Sequence, residues 1–323
     1  MSRMDEIEAR LKARMEAVNA RIASRMEALD ARLRKVQGEG VPGGAASDVK
    51  SASGEMQKSP RPFSAVAREA GAKLALCVGL NEVDAQAYPH GLRPLSGCVV
   101  DIQRFKCVLE HLGFDISMLV NEEATCRAVY QHMQEMAAAL NPGDLFVFHI
   151  SGHGGRAMQG GKFRENWCLY DGFVWDEDIV WMFSRFKPGV RVLVINDQCH
   201  SGGIFQQKAM RADTDIARLC ARDGRPQEWN AQTAMEGPDF PMLIQFAGCR
   251  AEQTSIDGLG GGTWTQSLIN VLEEAAATGA SCTYRTWFDK AFCSPTLKRG
   301  SQDPQWVESP QVTDDFRQRT ALD

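Results

Sequence analysis

The stretches DLFVFHISGHGG (144–155) and RVLVINDQCHSGG (191–203) decide how this chain is read. Each opens as a nearly continuous apolar run of strand length. Each closes in glycines around one chemically capable residue, His153 in the first and Cys199 in the second. Runs of this kind suit strands buried on both faces, as parallel strands between helix layers are. KLALCVGL (73–80) and PMLIQFAG (241–248) share the character, while 98–112, 124–140, 176–186, 263–276 and 284–292 carry helical spacing. The alternation predicts an α/β sandwich with a mostly parallel central sheet flanked by helices. Ligands bind such sheets at the carboxyl ends of the strands. His153 and Cys199 fall at two such ends.

Glycines on both sides of His153 and after Cys199 let the backbone turn sharply and approach a substrate closely. A thiol needs help to become a thiolate at neutral pH, and a nearby imidazole supplies it. The pair therefore reads as nucleophile (Cys199) and general acid/base (His153), with the amides of Gly154 and Cys199 aimed at the developing oxyanion. Taken alone, a cysteine is more often a small buried hydrophobe and a histidine a satisfied loop residue. Equivalent placement at the ends of two strands favours the catalytic pair instead. A metal hydrolase using His153 and His200 lacks the usual ligand spacing.

The 323 residues are 44% hydrophobic and 24% charged, the composition of an ordinary globular protein. A net charge of -5 gives no global attraction to nucleic acid or to an anionic membrane, and neither is expected as a partner. The ten cysteines are scattered singly with no C-x-x-C pair, which argues against a disulfide framework and a structural zinc. No apolar run approaches the roughly 20 residues of a membrane helix. The first residues resemble neither a signal peptide nor a transit peptide. The expectation is a cytoplasmic enzyme that requires no cofactor.

An eleven-residue repeat opens the chain: RMDEIEARLKA (3–13), RMEAVNARIAS (14–24) and RMEALDARLRK (25–35). Met4, Ile7, Leu11, Met15, Val18, Ile22, Met26, Leu29 and Leu33 form one apolar stripe on a helix over 1–37. An eleven-residue period suits a right-handed supercoil, hence homo-oligomerisation; folding back on the body of the same chain is the alternative. Residues 38–65, rich in Gly, Ser, Pro and Ala, read as a flexible linker, which leaves 66–318 as the folded domain.

SGHGG (151–155) and DQCHSGG (197–203), with His153 46 residues upstream of Cys199, resemble the paired signatures of metacaspases and bacterial orthocaspases, within the caspase-like peptidases. LALCVGLN, LSGCVVD (95–101), WCLYDGFVWDED (167–178) and FAGCRAEQTSID (246–257) extend the resemblance over about 70–312. Residues 70–210 resemble the family's large subunit and 240–312 its small one. The resemblance implies a caspase-like fold, a cysteine endopeptidase, and protein or peptide substrates with Arg or Lys before the scissile bond. It assigns the basic-residue pocket to Cys98, Asp101, Ser151 and Asp197. Electrostatics agrees, since two carboxylates in one cleft favour a cation and repel an aspartate. The ordinary alternatives are a helix-start carboxylate for Asp101 and a turn former for Asp197.

Many metacaspases also bind an activating Ca²⁺, for which Asp171, Asp176, Glu177 and Asp178 are the matching acids. Gln206 stands where the family pattern has a further Asp, and a solvated acidic helix start is the competing explanation. Self-cleavage is expected within 206–238, after Lys208, Arg211, Arg218, Arg222 or Arg225, because exposed connecting segments tolerate nicking. The rival function is an oligomeric caspase-like scaffold or pseudoenzyme that binds rather than cleaves, favoured had either His153 or Cys199 been replaced.

Overall fold

Alternation along fully buried strands is what builds the two helix layers. The computed structural model describes residues 71–88, 91–159, 162–198, 215–226, 228–250, 261–297 and 302–323. The repeat 1–37, the linker 38–65, Cys199, His200, Gln206, Lys208 and Arg211 lie outside them. The four apolar runs form β1 (Lys73–Gly79), β3 (Leu145–Gly152), β7 (Arg191–Gln198) and β8 (Met242–Ala247), joined side by side in parallel. β2 (Asp115–Val120) adds in parallel to β1, and β9 (Gln305–Glu308) pairs antiparallel to β8 at the far edge. The order is β2-β1-β3-β7-β8-β9. The chain reverses its direction of sheet growth between β1 and β3, the kind of position at which open α/β sheets bind ligands.

Successive side chains on a buried strand serve opposite layers. Phe146, Phe148 and Ile150 of β3 share one apolar cluster with Val129, Tyr130 and Met133 of α2 (Cys126–Ala139) and with Ile179 and Phe183 of α3 (Asp176–Phe183). Phe148 stacks on Trp167 with ring centroids 4.9 Å apart. The intervening positions serve the other layer: His149 meets the edge of Phe105 on α1 (Cys98–His111), and Ser151 reaches Asp101 on the same helix. Trp287 of α7 (Tyr284–Phe292) packs on Phe246 of β8 in this second layer. α6 (Thr263–Thr278) enters it with Trp264 and Thr265, both buried.

A second, three-stranded antiparallel sheet follows His153: β4 (Gly154–Gln159), β5 (Lys162–Leu169) and β6 (Gly172–Trp175). β4 and β5 interleave glycine, polar and charged residues and β6 has only four residues, so they lack the apolar run that announces the central ones. α4 (Asp215–Arg222), α5 (Ala231–Glu236) and α8 (Asp314–Gln318) complete the described α-helices. The packed body continues past 318, since Ala321 and Leu322 are buried and the Ala321 amide donates to the Cys282 carbonyl at 2.8 Å.

Two ion pairs are enclosed where α3 begins. Arg164 donates through Nε to Asp176 at 3.0 Å, and Arg225 donates to Asp178 at 2.6 Å, with all four side chains buried. Burial pushes both carboxyls up and the guanidiniums pull them back. Arg225 is thereby removed from the exposed self-cleavage candidates. Arg218 and Arg222 lie on α4 rather than in an extended loop. Removing one partner of a buried pair strands the other, at a cost of about 3–5 kcal/mol. Arg225→Met should therefore lower stability by about that amount in urea unfolding followed by tryptophan fluorescence, and adding Asp178→Leu should recover most of it. Wild-type stability for Arg225→Met alone would contradict the burial of this pair.

Candidate active site

His153 lies between the end of β3 and the start of β4. Its Nε2 is 2.7 Å from the Arg93 carbonyl oxygen. A carbonyl only accepts, so Nε2 carries the proton and the neutral imidazole keeps Nδ1 as its basic nitrogen. The backbone is held as firmly as the ring: the His153 carbonyl accepts from the Cys168 amide at 3.1 Å and from Gln198 Nε2 at 2.7 Å. The Cys168 bond makes Gly154 and Trp167 a non-hydrogen-bonded pair of the β4–β5 ladder. The Gly154 N–H accordingly points away from β5. A Cβ at Gly155 would lie 2.8 Å from Asn166 Oδ1, so a larger residue here must displace the Asn166 side chain.

The carbonyl that orients His153 sits on a segment tied to two strand ends. Asn81, just beyond β1, accepts the Leu95 amide on its carbonyl at 2.8 Å and the Val99 amide on Oδ1 at 3.2 Å. Asn121 Oδ1 in turn accepts the Asn81 amide at 2.9 Å. Asn121 adopts φ 46°, a left-handed conformation that Asn tolerates better than most residues.

β3 and β7 pair in register from Leu145↔Arg191 to Gly152↔Gln198. The next residues along the two strands are His153 and Cys199, the latter outside the described residues. Gln198 is fixed twice, through its side chain to His153 and through its carbonyl, which accepts from Cys249 Sγ at 3.4 Å. Cys77 and Cys220 are poor nucleophile candidates: burial pushes Cys77 up to about 12, and it also raises Cys220.

Three of the four expected pocket residues converge. Ser151 and Asp197 are register partners on β3 and β7. Ser151 Oγ donates to Asp101 Oδ2 at 2.8 Å, and the Gly262 amide donates to both Asp101 oxygens at 2.9 and 3.0 Å. Asp197 Oδ2 accepts from the Thr265 amide and hydroxyl, each at 2.9 Å, at the N-terminal turn of α6. A Cβ built on Gly262 would stand 2.3 Å from Asp197 Oδ2 and 3.0 Å from Asp101 Oδ2, so both carboxylates press on one peptide unit. Asp101 lies in the first turn of α1 and also reaches β3 and the residue just before α6. Asp197 is more than a turn former, since it meets the amino end of α6, where the backbone favours an anion. Cys98 is buried at the head of α1, one turn before Asp101.

The acids expected to bind calcium are not assembled as a cation site. Asp176 and Asp178 face Arg164 and Arg225, and Asp171 Oδ1 accepts the Cys126 amide at 2.7 Å at the start of α2. Glu177 is buried within the first turn of α3. No group of three or more metal-ligating side chains occurs among the described residues. Asp176 and Asp178 do not fit the ion, because guanidiniums already neutralise the oxygens a cation would need.

Arg93, Gln198, Gly262 and Thr265 were not anticipated. Arg93 acts through its backbone, which carries no residue signal. Gln198 had one, standing next to Cys199.

The chain matches the caspase domain family of peptidases over residues 72–316 and belongs to that family, a class of cysteine-type peptidases. Among individual proteins it is 33% identical to Metacaspase-8 of Arabidopsis thaliana, over 42% of this chain and 39% of that one. It is 27% identical to Metacaspase-5 of Trypanosoma brucei brucei (76% and 51%) and 30% identical to Metacaspase-2 of Arabidopsis thaliana (66% and 54%). The match thus spans about half or less of each relative's length. The crystal structure of protein GSU0716 from Geobacter sulfurreducens superposes with a TM-score of 0.63 at 24% identity, covering 78% of this chain and 98% of that one. That likeness concerns the fold, which is the expected caspase-like arrangement. No helix among the described residues is long and apolar enough to cross a membrane.

Gly262→Ala must displace a carboxylate, so it should destabilise the protein by about 1–3 kcal/mol. Gly237→Ala, whose Cβ would meet nothing closer than 3.4 Å, should be neutral or slightly stabilising. Thermal melts of the two variants check this, and equal midpoints would contradict it.

Proposed function

We propose that this chain is a cysteine endopeptidase that hydrolyses peptide bonds after Arg or Lys, with Cys199 as nucleophile and His153 as general acid/base. The observation that carries the proposal is the convergence of Asp101 and Asp197 beside the paired ends of β3 and β7. Ser151 and Asp197 each precede a member of the dyad by two residues, about 7 Å along a strand. That is the reach of an extended arginine side chain.

In the reaction, His153 Nδ1 takes the proton of the Cys199 thiol and the thiolate attacks the carbonyl carbon of the scissile bond. The oxyanion is met by the N–H groups of Gly154 and Cys199. The imidazolium, held by the Arg93 carbonyl, passes its proton to the leaving amine. Water activated by the same imidazole then hydrolyses the thioester and restores the thiol. Cys98, Asp101, Ser151 and Asp197 form the pocket for the basic side chain. Arg should be turned over at least as well as Lys, because a planar guanidinium can bridge two carboxylates.

Self-processing within 206–238 and self-association through 1–37, tethered by 38–65 to the peptidase domain 66–318, belong to the same proposal. With Arg225 enclosed by Asp178, intact-mass analysis should find fragments ending at Lys208, Arg211, Arg218 or Arg222 and none at Arg225. Fragments ending after acidic residues would contradict the basic specificity. Deleting residues 1–40 should lower the mass in light scattering while leaving peptide hydrolysis intact. An unchanged mass would leave the intramolecular alternative.

The direct test compares peptides identical except for Arg, Lys or Asp before the scissile bond. Like charges in such a cleft cost several kcal/mol, so the Asp peptide should fall behind by about a thousandfold or more. Cys199→Ala and His153→Ala should abolish turnover with the fold intact. Asp101→Ala should raise KM for the Arg peptide without creating an Asp cleaver. Equal turnover of the Asp peptide would remove the pocket assignment.

A further inference from the structure

The side of the sheet that carries Ser151 and Asp197 also buries an imidazole that the proposed reaction does not use. His149 lies on β3 with no exposed surface, two residues before Ser151. Its strand neighbours in register are Cys77 and Ile195, and the ring of Phe105 meets it at 4.9 Å between centroids, inclined at 70°. An aliphatic or aromatic residue would fill this place at lower cost, since a polar ring taken from water needs a hydrogen bond to compensate.

His149 makes that bond to the pocket. Its Nε2 is 3.2 Å from Thr265 Oγ1, and the Thr265 hydroxyl lies 2.9 Å from Asp197 Oδ2. A hydroxyl has one proton, and an ionised carboxylate only accepts. The Thr265 proton is therefore committed to Asp197, and Nε2 must donate to Oγ1. Nδ1 is left unprotonated, with no hydrogen-bond partner among the described residues. Burial pushes the imidazole down to about 3, which keeps it in this neutral, single-proton form.

We propose that His149 is a positioning residue for substrate specificity, whose Nε2–H holds Thr265 so that its hydroxyl and amide together fix the Asp197 carboxylate against the basic side chain of the substrate. The role of His149 rests on the Arg/Lys reading of this pocket. Without the imidazole donor, the Thr265 hydroxyl is released to turn back on its own helix, as threonines in first turns do. Asp197 then keeps one donor from Thr265 instead of two. The loss concerns binding of the basic side chain, not the thiol chemistry about two residues beyond.

Steady-state kinetics with matched Arg and Asp peptides test this. His149→Phe, which keeps an aromatic ring beside Phe105 but removes the donor, should raise KM for the Arg peptide about tenfold and leave kcat within about twofold. His149→Gln, which restores an N–H donor, should recover most of the KM. Thr265→Val should match His149→Phe, and the double variant should be no worse than either single one, as expected of residues acting in series. An unchanged KM in His149→Phe, equal losses in the Phe and Gln variants, or additive effects in the double variant would overturn the role of His149. Wild-type protein that hydrolyses the Asp peptide as fast as the Arg peptide would instead overturn the pocket, and this role with it. Nitrogen NMR of the labelled wild-type histidines needs no variant: the buried ring should be protonated at Nε2 alone, and protonation at Nδ1 would contradict the chain of donors.

Discussion

The pairing of β3 with β7 is the constraint on which the rest depends. Eight consecutive residues of each strand are matched in parallel, and both strands are buried along their whole length. Side chains alternate between layers, so a slip of one residue would carry Ser151 and Asp197 from the α1/α6 layer to the opposite one. The apolar partners in each layer forbid that slip: Phe146 and Phe148 on one side, and the Phe105 ring against His149 on the other. Hydrophobic packing thus fixes the register, and the register puts His153 and Cys199 next in line on neighbouring strands.

The acid pair is the costly part of this arrangement. Asp101 and Asp197 are almost fully buried, and isolated ionised carboxylates are not tolerated in such surroundings. Each is offset by donors from a different element: Ser151 and Gly262 for Asp101, and the first turn of α6 for Asp197. The glycine at 262 lets one peptide unit reach both carboxylates, since no Cβ fits there. The other buried charges are treated differently. Asp176 and Asp178 are closed off by their own arginines.

Much of this was legible in the sequence because the decisive strands are apolar on both faces. The runs at 73–80, 144–151, 191–197 and 241–248 became β1, β3, β7 and β8 within a residue or two, and the five helical segments became helices. β2 and β9 escaped because edge strands are only half buried and carry no continuous apolar run. The β4–β6 sheet escaped because its buried Arg164, Glu165 and Asn166 read as polar loop residues. Asp101, Ser151 and Asp197 were found through family resemblance, yet their donors were not. Thr265 and Gly262 lie far from the motifs in sequence, and Arg93 contributes a carbonyl that any residue would offer. The partners of two of the acids matched to calcium are likewise not revealed by spacing: Arg164 stands 12 residues before Asp176, and Arg225 stands 47 after Asp178.

The central claim is that this packing delivers one activated thiol to a pocket built for a basic side chain. Labelling with a peptidyl-arginine chloromethyl ketone, followed by mass spectrometry of the digested protein, tests it most directly. A single adduct on Cys199 is predicted, absent in His153→Ala and strongly reduced in Asp101→Ala, with Cys98 and Cys249 unmodified. Modification of another cysteine instead, or equal labelling by the matching peptidyl-aspartate reagent, would contradict it.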